Sequence, residues 1–226
     1  AGVIDVAPAN VPAAAPPSAP PTFRLDPVDA WMHGAGRATL RGPTPGVEGT
    51  VALDEVTARL RVPCRSPSRV ELFSLMTASA ALLLGRLGCA LVHAAAVVGP
   101  GGRAWLLPGD ARSGKSTTTA NLVRAGWPWL SDDQVVLRPG GGEVVVEGWR
   151  RPFHLDEGWP RDAGSPRARR IPRDGADLGP GPWRRLAPLA GVLLPRVEPD
   201  RPTATEPADA GDAFTALVRQ SPWFFA

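Results

Sequence analysis

The segment Gly109-Asp110-Ala111-Arg112-Ser113-Gly114-Lys115-Ser116, followed by Thr117, sets two glycines, a lysine and a hydroxyl at the spacing G-x-x-x-x-G-K-[ST]. The glycines let a backbone wrap an anion with its N–H groups turned inward at the start of a helix. In such a loop Lys115 offers a compact ammonium to β- and γ-phosphates, and Ser116 offers a hydroxyl ligand to Mg²⁺. Thr117 can add a hydroxyl near an α-phosphate. The chemistry these residue types predict is binding of a nucleoside triphosphate with Mg²⁺. Of 25 lysines and arginines, Lys115 is the only lysine. Arginine is a planar fork, whereas a phosphate loop needs a point charge that fits among amides, so this single lysine marks the loop as functional.

Two further groups could act beside that loop. Asp132 and Asp133 follow an apolar run one helix and one strand later, where paired carboxylates can hold Mg²⁺ or its waters and one can serve as a general base. His93 lies in an apolar run just before the loop, where a histidine is more often a packed core residue than a site residue. His33 and His154 fall in loop-like stretches. The arginines Arg150, Arg151, Arg161, Arg167, Arg169, Arg170 and Arg173 could bind phosphate or an acidic peptide, although a solvated loop accounts for them better.

The pattern of the chain says how these residues are positioned. Residues 1–22 are Ala/Pro-rich and read as a disordered tail that cannot bury enough apolar surface to order itself. From 23 to 68, short alternating runs between Gly/Pro turns predict a small antiparallel β-region. Residues 69–88 are apolar around most of the helical circumference and predict a buried helix. LVHAAAVV (91–98) and RAWLL (103–107), separated by Gly-Pro-Gly-Gly, predict a β-hairpin feeding the loop, with a helix from Lys115 to about Ala125. Strands are expected at 127–130, 134–138, 143–148, 189–194 and 203–206. The stretch 149–185 reads as loop, and 208–219 as an amphipathic helix.

Composition narrows the classes. A formal charge of +3 built on arginine, with few aromatics among the basic residues and no basic helix, argues against nucleic acid as a partner. The apolar run 72–91 is interrupted by Ser, Thr, Gly and Arg86, which argues against a membrane span, and no basic region precedes an apolar one at the start as in a secretory signal. Cys64 and Cys89 have no metal spacing and read as reduced thiols, so a cytoplasmic protein is expected. A homo-oligomer is compatible with all of this.

Taken in order, LVHAAAVV and WLLPGDARSGKSTTTANLVRAGWPWLSDDQVVL resemble the catalytic core of the HPr kinase/phosphorylase family. They resemble more closely the HPr-kinase-like kinases of bacterial peptide-modification clusters, including lasso-peptide pathways. The matching features are His93-Ala94, Gly109–Ser116, Arg124-Ala125-Gly126 and Asp132-Asp133, over about residues 90–138. At 146–155, VEGWRRPFHL departs from that family's Glu-Arg-Gly-type second signature. The resemblance implies an α/β, PEP-carboxykinase/HPr-kinase-like P-loop fold with a mixed sheet, occupying 69–226. It implies Mg-ATP as cofactor and transfer of the γ-phosphoryl group to a hydroxyl, usually serine of a peptide or protein. An aspartate of the pair would orient and deprotonate that hydroxyl, Ser116 with the pair would place Mg²⁺, and His93 would sit near the γ-phosphate. A small-molecule acceptor, or a non-catalytic ATP-binding switch or scaffold, is the alternative.

Overall fold

A computed structural model of the chain describes residues 2–8, 17–63, 67–160, 169–198 and 203–225. It is a mixed α/β protein with three α-helices and three sheets among the described residues. The chain divides into two compact units, one of Ala1–Leu91 with Pro222–Ala226 and one of Val92–Ser221.

The first unit is built on strands β1 (Val3–Pro8), β2 (Phe23–Leu25), β3 (Val28–His33), β4 (Arg37–Arg41), β5 (Glu48–Ala52) and β6 (Thr57–Val62). They form one sheet in the order β1-β6-β5-β4-β3-β2. All neighbours are antiparallel except β1 and β6, which run parallel. Period-two alternation puts Ala38, Leu40, Val51, Ala58 and Leu60 on the covered face. Helix α1 (Arg69–Arg86) packs there through Leu75, Ala78 and Leu82. Its N-cap Ser68 accepts from Glu71 N, and Glu71 turns its buried carboxylate to the N–H (2.9 Å) and hydroxyl (2.7 Å) of Thr44, tying a β-turn to the helix.

In the second unit a seven-stranded sheet runs β10-β8-β9-β15-β12-β11-β7. Its members are β7 (Ala90–Val92), β8 (Ala94–Val98), β9 (Ala104–Pro108), β10 (Trp129–Ser131), β11 (Val135–Gly140), β12 (Glu143–Gly148) and β15 (Leu186–Val192). Strands β13 (Phe153–Asp156) and β14 (Arg170–Arg173) form a separate antiparallel pair. The β8–β9 hairpin is antiparallel, while β9 and β15 are parallel, so the sheet is mixed. Alternate residues of β8 enter two different cores: Ala94, Ala96 and Val98 one, Ala95 and Val97 the other. Burial on both faces explains why this strand reads as an unbroken apolar run. Helix α2 (Lys115–Arg124) joins the second core through Ala120 and Val123, with Trp129 edge-on to Phe153 at 5.1 Å. Helix α3 (Ala210–Arg219) is capped by Asp209 and buries none of its residues fully.

Several expectations need correction. The supposed tail contains β1, because edge pairing with β6 satisfies its backbone even though its side chains stay exposed. Helix α1 belongs with the first unit, so the division falls after Leu91 rather than before residue 69. The stretch 149–185 carries β13, β14 and a 3₁₀ turn, Gly175–Asp177. Residues 203–206 form no strand. Of the cysteines, Cys89 is a free thiol, and Cys64 lies outside the described residues with Arg161 and Arg167.

Close backbone contact fixes β10, the strand that leads to the aspartate pair. A Cβ at Gly148 would meet the Leu130 carbonyl oxygen at 2.3 Å, so β12 comes as near as it does only because residue 148 lacks a side chain. Gly148→Ala is expected to destabilise the protein by about 1–3 kcal/mol through this clash. Gly101→Ala, in a turn with open space around it, should change stability by less than about 0.5 kcal/mol. Thermal unfolding of the two variants checks both, and equal melting temperatures would remove the close-approach argument.

Candidate active site

Strand β9 ends at Pro108, and the chain then turns through Gly109 to Gly114 into α2. Gly109 (φ 150°), Arg112 (φ 67°) and Gly114 (φ 97°) all take positive φ, and Arg112 does so without being glycine. The result is a tight loop over the N-terminus of α2, whose first turn has no side-chain cap. Its N–H groups therefore face the loop rather than a capping residue, the arrangement that suits an anion. Lys115 is 8% exposed, and its ammonium donates to the carbonyls of Gly109 (2.5 Å) and Asp110 (3.0 Å). Burial pushes the Lys115 pKa down, against the opposing pull of Asp132, Asp133 and Asp110. Asp110 is in turn tied to the far end of the unit, since Gln220 Nε2 donates to its Oδ1 at 2.8 Å.

Asp132 and Asp133 occupy the bend directly after β10. This short strand pairs with β8 on one side. On the other side Trp129 N donates to Pro182 O (3.1 Å), Arg184 N to Trp129 O (2.8 Å) and Trp183 Nε1 to Leu130 O (3.0 Å). Buried Ser131 shapes the bend, its hydroxyl accepting from Asp133 N (3.3 Å) and Gln134 N (3.2 Å). Held on both edges, the strand end brings its two carboxylates to Lys115 and Ser116 at the start of α2.

The neighbours have opposite electrostatics. Asp132 is 5% exposed; its Oδ2 accepts from His154 N at 3.4 Å and its Oδ1 is buried without a hydrogen-bond partner. Burial raises its pKa to about 7, and the Ser116 hydroxyl and the His154 amide offset only part of that. For Asp133 burial also acts upward, but the hydrogen bond and charge of His93, with the charges of Arg151 and His154, outweigh it and hold the carboxyl below its ordinary range. His93 Nδ1 donates to Oδ1 at 3.1 Å and Arg151 pairs with Oδ2. His93 can make this contact because it is the one residue between β7 and β8, a break in what the sequence suggests is a continuous strand.

The structure thus brings Lys115, Ser116, Asp132, Asp133 and His93 together, with Gly109, Asp110, Ala111, Arg112, Ser113, Gly114 and Thr117 forming the loop and the first turn of α2. Ser113 Oγ is buried within the loop without a hydrogen-bond partner. His33 stands apart in the first unit, bonded to Thr39 Oγ1 at 2.9 Å. Three neighbours of the pair appear in the sequence only as members of the arginine group or as a loop histidine: Arg151, His154, which takes part through its backbone, and Arg170, which donates to His154 O. The only advance sign of them is the density of arginine in 149–173.

The two carboxyls should respond oppositely to removal of charge. The Asp132 pKa is raised on folding, so the stability it contributes is present at low pH and is lost as pH climbs from about 4 through about 7. Asp132→Asn should therefore gain stability relative to wild type as pH rises over that window, by a few kcal/mol at most, and level off above about pH 8. Asp133 is depressed on folding and stabilises at neutral pH, so Asp133→Asn should destabilise at pH 7 and leave His93 and Arg151 facing each other without a counter-charge. Denaturant unfolding at pH 5 and pH 8 tests both, and the same sign for the two variants at pH 8 contradicts the assignment.

No protein-family model matches the chain, and no curated protein matches it. Among solved structures, the HPr(Ser) kinase/phosphatase from Coxiella burnetii is similar at 20% sequence identity and a TM-score of 0.36. That match covers 52% of this chain and 66% of the other, about two thirds of that protein's length.

Proposed function

We propose that this chain is a Mg-ATP-dependent phosphotransferase of the HPr-kinase-like, PEP-carboxykinase-like P-loop type, acting on a hydroxyl such as serine of a peptide or protein. The observation that carries the reading is the split carboxylate pair at the phosphate loop: one buried beside Lys115 and Ser116, the other ionised and held by His93 and Arg151. Phosphoryl transfer needs positioning and charge neutralisation more than covalent chemistry, and a loop, a cation and an oriented carboxylate meet that need.

The loop amides and Lys115 bind the β- and γ-phosphates. Ser116 and Asp132 are hard oxygen donors that already touch, and the unpartnered buried Oδ1 of Asp132 gives them a coordination position to fill, so the residues present fit Mg²⁺. Once bound, the metal supplies positive charge at the phosphate oxygens. Asp133 is the more accessible carboxylate, its side chain 30% exposed. Fixed by donors on both oxygens, it orients the acceptor hydroxyl and takes its proton, while His93 keeps it aimed. Asp132, too dry to be reached by an acceptor, serves the nucleotide side.

Lys115→Ala is expected to weaken MgATP binding by about tenfold or more, the cost of losing a charge-assisted contact. Asp133→Asn should leave MgATP affinity within about threefold and cut transfer by roughly 10²-fold or more, the usual worth of an acid–base residue. Calorimetric titration gives the first number, and phosphate labelling of a panel of serine-containing peptides gives the second. Unchanged nucleotide binding in Lys115→Ala sinks the loop assignment. Wild-type protein that binds MgATP and labels no acceptor favours a nucleotide-dependent switch instead.

A further inference from the structure

The arginines of the segment after β12 are not equivalent. Arg151 pairs with Asp133, Arg150 pairs with Asp174 at 3.1 Å, and Arg173 donates to Glu157 O at 3.3 Å. Arg170 pairs with no carboxylate among the described residues; its Nη2 donates to the neutral carbonyl of His154. The N–H of that same residue reaches Asp132 Oδ2. One residue of β13, His154, therefore links Arg170 through its backbone to the carboxyl beside Ser116.

The pairing of β13 with β14 explains how the guanidinium arrives there. His154 stands opposite Pro172, and Arg170 opposite Asp156 two residues along. Proline has no N–H to give, so the His154–Pro172 pair leaves the N–H and C=O of His154 pointing away from β14. That outward edge faces the site: the N–H takes Asp132 and the C=O takes Arg170. Among the described residues no carboxylate takes the remaining donors of the guanidinium fork. Its field is felt at the phosphate loop, where it acts to lower the Lys115 pKa, and also at Asp132. Two cations that act on one another and share Asp132 repel, and an anion entering the site relieves that repulsion.

We propose that Arg170 is the second cation of the site: with Lys115 it takes the terminal phosphoryl group and neutralises the charge that spreads over that group's oxygens during transfer. The proposal rests on the phosphotransferase reading and adds a residue to it. In the step concerned, the bond between the β–γ bridging oxygen and the γ-phosphorus breaks, and ADP leaves with the electron pair. The acceptor oxygen bonds to phosphorus and its proton passes to Asp133. Arg170 exchanges no proton and contributes charge and two-pronged geometry, for which arginine is better shaped than lysine.

A transition-state mimic tests this without knowledge of the acceptor. Wild-type protein should bind MgADP with aluminium fluoride about 100-fold more tightly than MgADP alone, the lower end of the range for such analogues. Arg170→Gln keeps a donor for the His154 carbonyl and removes the charge. It should bind MgADP within about threefold of wild type and lose most of the fluoride-dependent gain, as expected where an arginine stabilising a phosphoryl transition state is worth about 10³-fold or more in rate. Millimolar guanidinium should restore part of the gain in Arg170→Ala, which a role in holding the hairpin alone would not produce. Arg169→Ala, one residue away, should behave as wild type. The proposal is overturned if Arg170→Gln retains the full gain, if it loses MgADP affinity to the same extent, or if wild type binds MgADP and gains nothing from fluoride. Absence of MgADP binding in wild type overturns the nucleotide reading itself, and Arg170 with it.

Discussion

A carboxyl group kept where its charge is poorly solvated governs the rest of the second unit. Asp132 is buried next to Lys115 and Ser116, and the protein does not compensate it with a full set of donors: Oδ1 has no partner, and the Ser116 hydroxyl and a long contact from the His154 amide offset only part of the cost of burial. Such a group costs stability in the isolated protein, and the fold sustains it through contacts placed elsewhere. Strand β10 is tied on both edges, β12 presses against it at a residue without a side chain, and Trp129 is locked against Phe153 in the core beneath. The same rigidity prevents the aspartate from rotating into solvent and relieving itself.

Asp133 shows how small a displacement separates the two roles. The adjacent residue points toward His93 and Arg151 and is fully compensated. Two consecutive aspartates in a bend must diverge, and the divergence puts one in a dry place and one between a histidine and an arginine. Environment rather than residue type divides their work, the general way in which a protein obtains two behaviours from two identical side chains.

The loop before α2 stands out in the sequence because its requirements are local: glycines for backbone shape, a lysine, a hydroxyl and a following helix, all within nine residues. The position of Asp132 and Asp133 was legible for a related reason, as polar residues that abruptly end an apolar strand. The contributions of Arg151, His154 and Arg170 were not. They depend on a four-residue pairing in which Phe153 and Leu155 supply only two buried side chains and proline occupies the partner strand, too little periodicity to distinguish from loop. Strand β1 was hidden because its order comes from backbone pairing with β6, and a hydrophobicity pattern carries no trace of that. The assignment of α1 to the first unit was equally invisible, since a helix apolar on nearly every side does not say which sheet it covers.

The solitary lysine has a consequence for how the protein can be handled. Every side-chain amine reaction is confined to one position, and that position is nine-tenths enclosed by the loop it serves. Acylating reagents, lysine-directed cross-linkers and enzymatic acetylation therefore have a single internal address, and its reactivity reports how accessible the loop is. A mass shift at one peptide becomes a gauge of that accessibility, with no other lysine to contribute background.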